Sequence, residues 1–170
     1  MSKEPVVMAL APVAHIPAHL PEGCVNPVAS KAVATAVVSA VEAGVTVAHL
    51  HVRKENGELT EDMTVFTKTL DMIFSKTEVL INGSTGGVSD LTLEERCVSV
   101  NEPRVSIASL NMGSSNMKDG VYINRIPDIE FWAARMKDRQ VVPELEIFAV
   151  SMMDTAFRMR EEGLLPRRLH

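Results

Sequence analysis

The chain has 170 residues, of which 46% are hydrophobic and only 4% aromatic, so aliphatic side chains must build its core. This length predicts one domain, residues 1–170, with a sizeable hydrophobic interior. The net charge of −5 gives no basic surface for nucleic acid. The apolar run at residues 6–13 is too short to span a membrane and lacks a signal-peptide pattern. We therefore expect a cytoplasmic protein with neither nucleic-acid nor membrane partners.

Apolar runs alternate with helical patterns along the chain. Strands are expected at residues 6–11, 44–50, 79–82, 105–110 and 141–148, with a short extra strand at 121–124. Helices are expected at 28–43, 61–75, from a capping box at Thr92, at 127–139, and from 151 to Gly163. Their predicted start signals are Asn26-Pro27, Thr60 and residues 151–154, and Gly44 is the predicted stop of the first helix.

The alternation of strands and helices predicts an α/β fold with a parallel sheet and right-handed crossovers. Each strand and helix pair takes roughly 33 residues, so eight pairs would need about 260, close to a typical (β/α)8 TIM barrel. The chain contains five pairs, and either an open five-stranded sheet or the first five β/α units of a barrel satisfies the pattern.

Two histidines at the end of the second strand are the most informative feature. His49 and His51 are two residues apart, so their side chains point to the same face of the strand. Two neutral imidazoles on one face suit zinc or another divalent metal.

Polar residues also follow the other expected strands, as in the active site of a barrel. In chain order these residues are His15, the Ser84-Thr85-Gly86-Gly87 turn, Ser109 with Asn111, and Glu144 with Glu146. The turn offers a hydroxyl and unhindered backbone N–H groups to a substrate carboxylate. A buried Glu146 would orient a base or a water, although a salt bridge is its alternative role. Arg53 either pairs with an acidic substrate group or bridges to the acidic turn after it.

Four motifs in this order resemble the β-keto acid cleavage enzyme family, whose type member is 3-keto-5-aminohexanoate cleavage enzyme. They are His49-Leu50-His51-Val52-Arg53, Ser84-Thr85-Gly86-Gly87, residues 108–116, and Pro143-Glu144-Leu145-Glu146-Ile147-Phe148. The resemblance implies a TIM barrel, a divalent metal that is usually zinc, and a transferase acting in amino acid degradation. It also implies that a β-keto acid condenses with acetyl-CoA, and that the product is cleaved to acetoacetate and a new acyl-CoA.

The resemblance also implies roles for single residues. His49 and His51 match the two metal histidines, and Ser84 and Glu146 match catalytic positions. Ser109 and Asn111 match positions that line the keto-acid pocket. The family's third metal ligand, a glutamate, and a catalytic arginine and aspartate are expected beyond His170.

The loop after the first strand departs from the family pattern. Members often have Thr-Gly-Ala there, in some cases followed by a glutamate, whereas this chain has Ala11-Pro12-Val13-Ala14-His15. His15 followed by Pro17 resembles a His-x-Pro version found in other members. Without a carboxylate to pair with an ammonium group, the amine-bearing substrate of the type member is not expected.

Two alternatives stay open beside this interpretation. One is another metal-dependent barrel enzyme with a His-x-His pair, such as an acyl-CoA lyase. The other is an inactive fragment, because two histidines alone form an incomplete metal site. An open parallel sheet exposes long edges, so we expect a homo-oligomer, with weak zinc binding by residues 1–170 alone.

Overall fold

Strands and helices alternate through the computed structural model, which describes residues 6–14, 19–117 and 120–169. The elements in chain order are β1 (Ala9–Leu10), α1 (Ser30–Glu42), β2 (Val47–Leu50), α2 (Thr64–Phe74), β3 (Leu80–Gly83), α3 (Leu93–Arg96), β4 (Val105–Asn111), β5 (Ser115–Met117), β6 (Gly120–Tyr122), α4 (Ile126–Asp138), β7 (Val142–Glu146) and α5 (Val150–Glu161). A 3-10 turn, Val98–Asn101, follows α3. This order confirms the α/β class and the five predicted β/α units. The residues form two compact units, Met1–Asn82 and Gly83–His170.

Parallel pairing and two packed helices build the first unit. Ala9 of β1 lies opposite Val47 of β2, and the Leu80 amide at the start of β3 donates to the Thr46 carbonyl. Helices α1 and α2 pack together. The core is a cluster of buried aliphatic and aromatic side chains, which are Val33, Val37, Ala48, Leu50, Phe66, Leu70 and Ile73. The buried β2 residues Ala48 and Leu50 belong to this core and stand on either side of His49 in the sequence.

The first strand is shorter and more exposed than the sequence predicts. Only Ala9–Leu10 is β-strand, and Val6 and Val7 are 83% and 74% exposed. The apolar run suggested a strand covered on both faces, but in the described part of the chain β1 pairs only with β2. An apolar run therefore gave the strand's position but not its burial.

Two predicted helix starts in the first unit are wrong. The Asn26 side chain instead bonds both the N–H and the carbonyl of Ala14, and it thereby fastens a loop. The Thr60 hydroxyl accepts from the Asp62 amide, and the next helix begins only at Thr64. In both cases a polar side chain satisfies a nearby loop rather than a helix end.

The second unit combines a parallel strand pair with a hairpin. In the pair of β4 and β7, Ser109 lies opposite Glu144 and Asn111 opposite Glu146. Strands β5 and β6 form an antiparallel hairpin that includes the predicted strand near residue 121. Helices α4 and α5 supply most of the large buried side chains, among them Ile129, Trp132, Met136, Met152 and Met159. The register places the polar residues of β4 and β7 side by side.

The helix ends of the second unit follow the sequence only in part. The capping box is confirmed, because the Thr92 hydroxyl accepts from the Glu95 amide while the Glu95 carboxylate accepts from the Thr92 amide. The predicted cap at 151–154 is wrong, because α5 begins at Val150 and its N-cap, Ala149, provides no side-chain bond. No helix within the described ranges is long and apolar enough to cross a bilayer.

Candidate functional site

The histidine pair at the end of β2 brings two ring nitrogens within hydrogen-bonding distance of each other. Both rings are half-buried, and their Nε2 atoms lie 3.3 Å apart with the ring planes at 79°. Two nitrogens at tetrahedral positions around zinc, each about 2.05 Å from it, are roughly 3.3 Å apart. The donor set of His49 and His51 therefore fits a zinc-like ion. Among the described residues, no group of three His, Cys, Asp or Glu side chains forms a larger metal cluster.

Arg53 brings a positive charge to the same side of the first unit. Its Nη1 donates to the Gly57 carbonyl at 2.7 Å, and its backbone forms an isolated bridge with Leu59. The predicted contact with the following turn is therefore present, but through a backbone carbonyl. The buried Nε atom has no hydrogen-bond partner in the part of the chain that the structure describes. Burial lowers the pKa of the Arg53 guanidinium. The N–H at Nε remains a donor available to an anionic ligand.

A pocket in the first unit contains all three of these side chains. Aliphatic and aromatic residues form most of its wall, while His49, His51 and Arg53 supply its polar groups. The apolar lining includes Ala11, Val13, Val28, Val33, Leu50, Val65 and Phe66. The pocket thus gathers two imidazoles and a guanidinium within an otherwise mostly apolar wall.

The Ser84–Gly87 turn of the second unit is held by hydrogen bonds within itself and to β4. The Ser84 hydroxyl donates to the Gly86 carbonyl (3.1 Å) and accepts from the Gly86 amide (3.2 Å). The Thr85 hydroxyl donates to the Ser109 carbonyl (2.6 Å), and the Thr85 amide donates to the Ser109 hydroxyl (3.4 Å). The expectation of unhindered amides is therefore wrong for Thr85 and Gly86. The hydroxyls of Ser84 and Thr85 likewise donate within the protein, to the carbonyls of Gly86 and Ser109.

Asn111 and Glu146 lie side by side at the ends of β4 and β7. Asn111 is 1% exposed, and its Oδ1 accepts from the Gly113 amide. Its buried Nδ2 has no hydrogen-bond partner within the described ranges, so it is a donor available to a ligand oxygen. Burial, and then the negative charge of Glu144, raises the pKa of the Glu146 carboxyl. A carboxyl shifted in this direction takes up and releases protons closer to neutral pH, as acid–base catalysis requires.

Two residues beside the turn were not predicted from the sequence. Tyr122 on β6 is buried, and Arg96 at the end of α3 lies between its ring and that of Trp132, 5.1 Å and 4.2 Å from the two centroids. The one useful signal was that Tyr122 is the chain's only tyrosine, next to the expected extra strand.

The predicted site residues separate into two groups. The first unit holds His49, His51 and Arg53, and the second holds the Ser84–Gly87 turn, Ser109, Asn111 and Glu146. Within the second unit, hydrogen bonds join Thr85 of the turn to Ser109. Asn111 lies two residues after Ser109 on β4. His15 lies outside the described residues.

Comparison with known proteins supports a single family. The sequence model of the "beta-keto acid cleavage enzyme" family matches residues 8–170. A Fusobacterium nucleatum protein called 3-keto-5-aminohexanoate cleavage enzyme is 34% identical over 134 residues, which cover 78% of this chain and 49% of that protein. A Cupriavidus necator protein called 3-oxoadipate:acetyl-CoA acetyltransferase is 34% identical across 98% of this chain and 58% of its own length.

Further matches agree with these. A Paraburkholderia graminis protein called 3,5-dioxohexanoate:acetyl-CoA acetone transferase is 31% identical across 76% of this chain and 42% of its length. The chain thus spans about half the length of the curated relatives it matches. Among solved structures, "Apo structure of ObcA" superposes with a TM-score of 0.65 at 17% identity, over 82% of this chain and 33% of that one. This likeness shows a shared fold.

Proposed function

Because the chain belongs to the β-keto acid cleavage enzyme family, we propose that the protein transfers an acyl group between a β-keto acid and acetyl-CoA. The products are acetoacetate and a new acyl-CoA. The match of the family model to residues 8–170 is the observation that carries this proposal. The relatives whose names include acetyl-CoA support that co-substrate.

The reaction moves intact carbon fragments. Loss of an α-proton makes the α-carbon of the keto acid a nucleophile, and this carbon attacks the acetyl carbonyl and displaces the CoA thiolate. The thiolate then attacks the original keto carbon, and the bond between that carbon and the α-carbon breaks. The electron pair of that bond stays on the α-carbon, which takes back a proton. The acetyl group leaves in acetoacetate, while the rest of the keto acid leaves as a thioester.

We assign the first unit to metal and anion binding. His49 and His51 would hold a divalent metal, for which zinc is the best candidate because their 3.3 Å Nε2 separation suits tetrahedral coordination. Such a metal supplies Lewis-acid stabilisation of an enolate oxygen. The Nε donor of Arg53, buried in the same pocket, would bind a carboxylate of the substrate.

We assign the second unit to proton transfer and keto-acid binding. Glu146, with its raised pKa, would orient the base or water that removes the α-proton. The available Nδ2 of Asn111 would donate to a substrate oxygen, and Ser109 would line the same pocket. Ser84 would contribute its hydroxyl, while Thr85, Gly86 and Gly87 would shape the turn that presents it.

The pocket lining favours a substrate without an ammonium group. Ala11 and Val13, which follow β1, line the pocket of the first unit and bring no carboxylate to it. An uncompensated ammonium group there would lose hydration without gaining an ion pair. We therefore propose that the substrate is a neutral or acidic β-keto acid. We also propose that the protein is a cytoplasmic homo-oligomer.

A metal-binding experiment tests the assignment of the histidines. Zinc binding to the purified protein is measured by calorimetry for the wild type, His49→Ala and the control His19→Ala, whose residue is exposed. We expect His49→Ala to weaken binding at least tenfold, because it removes a ligand, and the control to match the wild type. Equal affinity in all three proteins would refute the assignment.

A further inference from the structure

Glycine is required at position 86 because of a neighbouring side chain. A Cβ built on Gly86 would overlap the Tyr122 hydroxyl oxygen and would lie 2.9 Å from Nη2 of Arg96. Thus the Tyr122 hydroxyl lies directly against the backbone of the turn. Burial raises the pKa of the Tyr122 phenol, and the backbone of Gly87 partly offsets this rise.

Arg96 joins the turn to the segment that carries Tyr122. Its Nε donates to the Thr85 carbonyl at 3.3 Å, while Nη1 donates to the Ile123 carbonyl at 2.8 Å. Its Nη2 donates to Oδ1 of Asn124 at 2.6 Å, and Asn124 is buried. The guanidinium is planar and rigid, so these bonds fix the distance between the turn and β6.

A short series of contacts leads from Tyr122 to Ser84. The Ser84 hydroxyl forms its two hydrogen bonds with the carbonyl and the amide of Gly86. Any displacement of Gly86 therefore changes the direction of the Ser84 hydroxyl. The Tyr122 hydroxyl blocks such a displacement from one side, because it occupies the space that a Gly86 side chain would need.

We propose that Tyr122 is a positioning residue whose hydroxyl holds Gly86 in place and thereby fixes the position of the Ser84 hydroxyl for the β-keto acid. This inference rests on the proposed function for its catalytic consequence, but not for its structural one. A further observation supports it: Tyr122 is buried although its hydroxyl is polar.

The catalytic test is a double-mutant cycle on the whole protein. Tyr122→Phe removes only the hydroxyl, Ser84→Ala removes the group that it would direct, and Val121→Ala alters an exposed neighbour on β6 as a control. We expect Tyr122→Phe to raise KM for the keto acid threefold to tenfold, because the turn loses one polar contact, with KM for acetyl-CoA unchanged. Combined with Ser84→Ala, it should add less than twofold, because residues that act through one another are not additive. Multiplicative effects, or a Tyr122→Phe protein with wild-type KM, would overturn the proposal.

A second measurement does not depend on activity. Hydrogen exchange of the Gly86 and Gly87 amides is followed in the wild type, Tyr122→Phe and Val121→Ala proteins. We expect at least tenfold faster exchange in Tyr122→Phe only. If the wild type turns over no keto acid while this result holds, the proposed function fails and the positioning of the turn stands. Unchanged exchange in Tyr122→Phe would refute the positioning itself.

Discussion

The bond between Thr85 and β4 is the best place to test how the turn is held. Thr85→Val keeps the shape of the side chain but removes the hydroxyl that donates to the Ser109 carbonyl at 2.6 Å. Thr85 and Ser109 are only 1% and 2% exposed, so water does not replace the lost donor. Loss of a buried hydrogen bond of this kind costs about 1–3 kcal/mol in free energy of unfolding. At about 2–4 °C per kcal/mol for a chain of this size, a loss of about 2 kcal/mol lowers Tm by roughly 4–8 °C.

Calorimetry of Thr85→Val beside Thr35→Val is the assay. The Thr35 hydroxyl donates to the Lys31 carbonyl at a similar distance, 2.8 Å, but on an exposed face of α1. Water replaces that bond, so the control should change the free energy of unfolding by no more than about 0.5 kcal/mol. Equal Tm values for the two variants would refute the claim that the buried Thr85 bond fastens the turn.

Three further predictions follow from charges and donors in the two units. The folded-state pKa of Glu146 lies above its ordinary value of 4.5, so folding takes up a proton and stability falls as pH rises from about 4.5 through the raised pKa. Glu146→Gln should flatten that fall in urea midpoints, and an unchanged slope would contradict it. Burial raises the pKa of the Tyr122 phenol above 10, so ultraviolet titration of this single tyrosine should show ionisation at higher pH than free tyrosine. Arg53→Met should raise KM for the keto acid at least tenfold, because it removes the donor proposed to bind the substrate carboxylate. The control Lys54→Met, at an exposed neighbour, should leave KM unchanged. Equal KM values for the two variants would exclude Arg53 from binding.

The sequence predicted the parts of the site that depend on local periodicity. Side chains of a strand alternate, so the spacing of His49 and His51 was enough to place both rings on one face. Alternation of strands and helices likewise predicted the parallel pairing that sets Asn111 opposite Glu146.

The parts that were not predicted depend on contacts between distant residues. Arg96 reaches Asn124, 28 positions away, and no local pattern signals such a bond. The engaged amides of Thr85 and Gly86 were missed for a different reason, since glycines in a sequence indicate backbone freedom but not the partners of nearby N–H groups. The exposure of Val6 was missed because an apolar run does not report what covers it.

The fate of labelled acetyl-CoA tests the central claim most directly. Purified, zinc-loaded protein is incubated with acetyl-CoA carrying ¹³C at both acetyl carbons and with a panel of β-keto acids, and the products are analysed by mass spectrometry and NMR. The proposed reaction predicts acetoacetate labelled only in its keto and methyl carbons, together with an equal amount of unlabelled acyl-CoA from one of the keto acids. Absence of acetoacetate with every keto acid, or acetoacetate without the label, would contradict it.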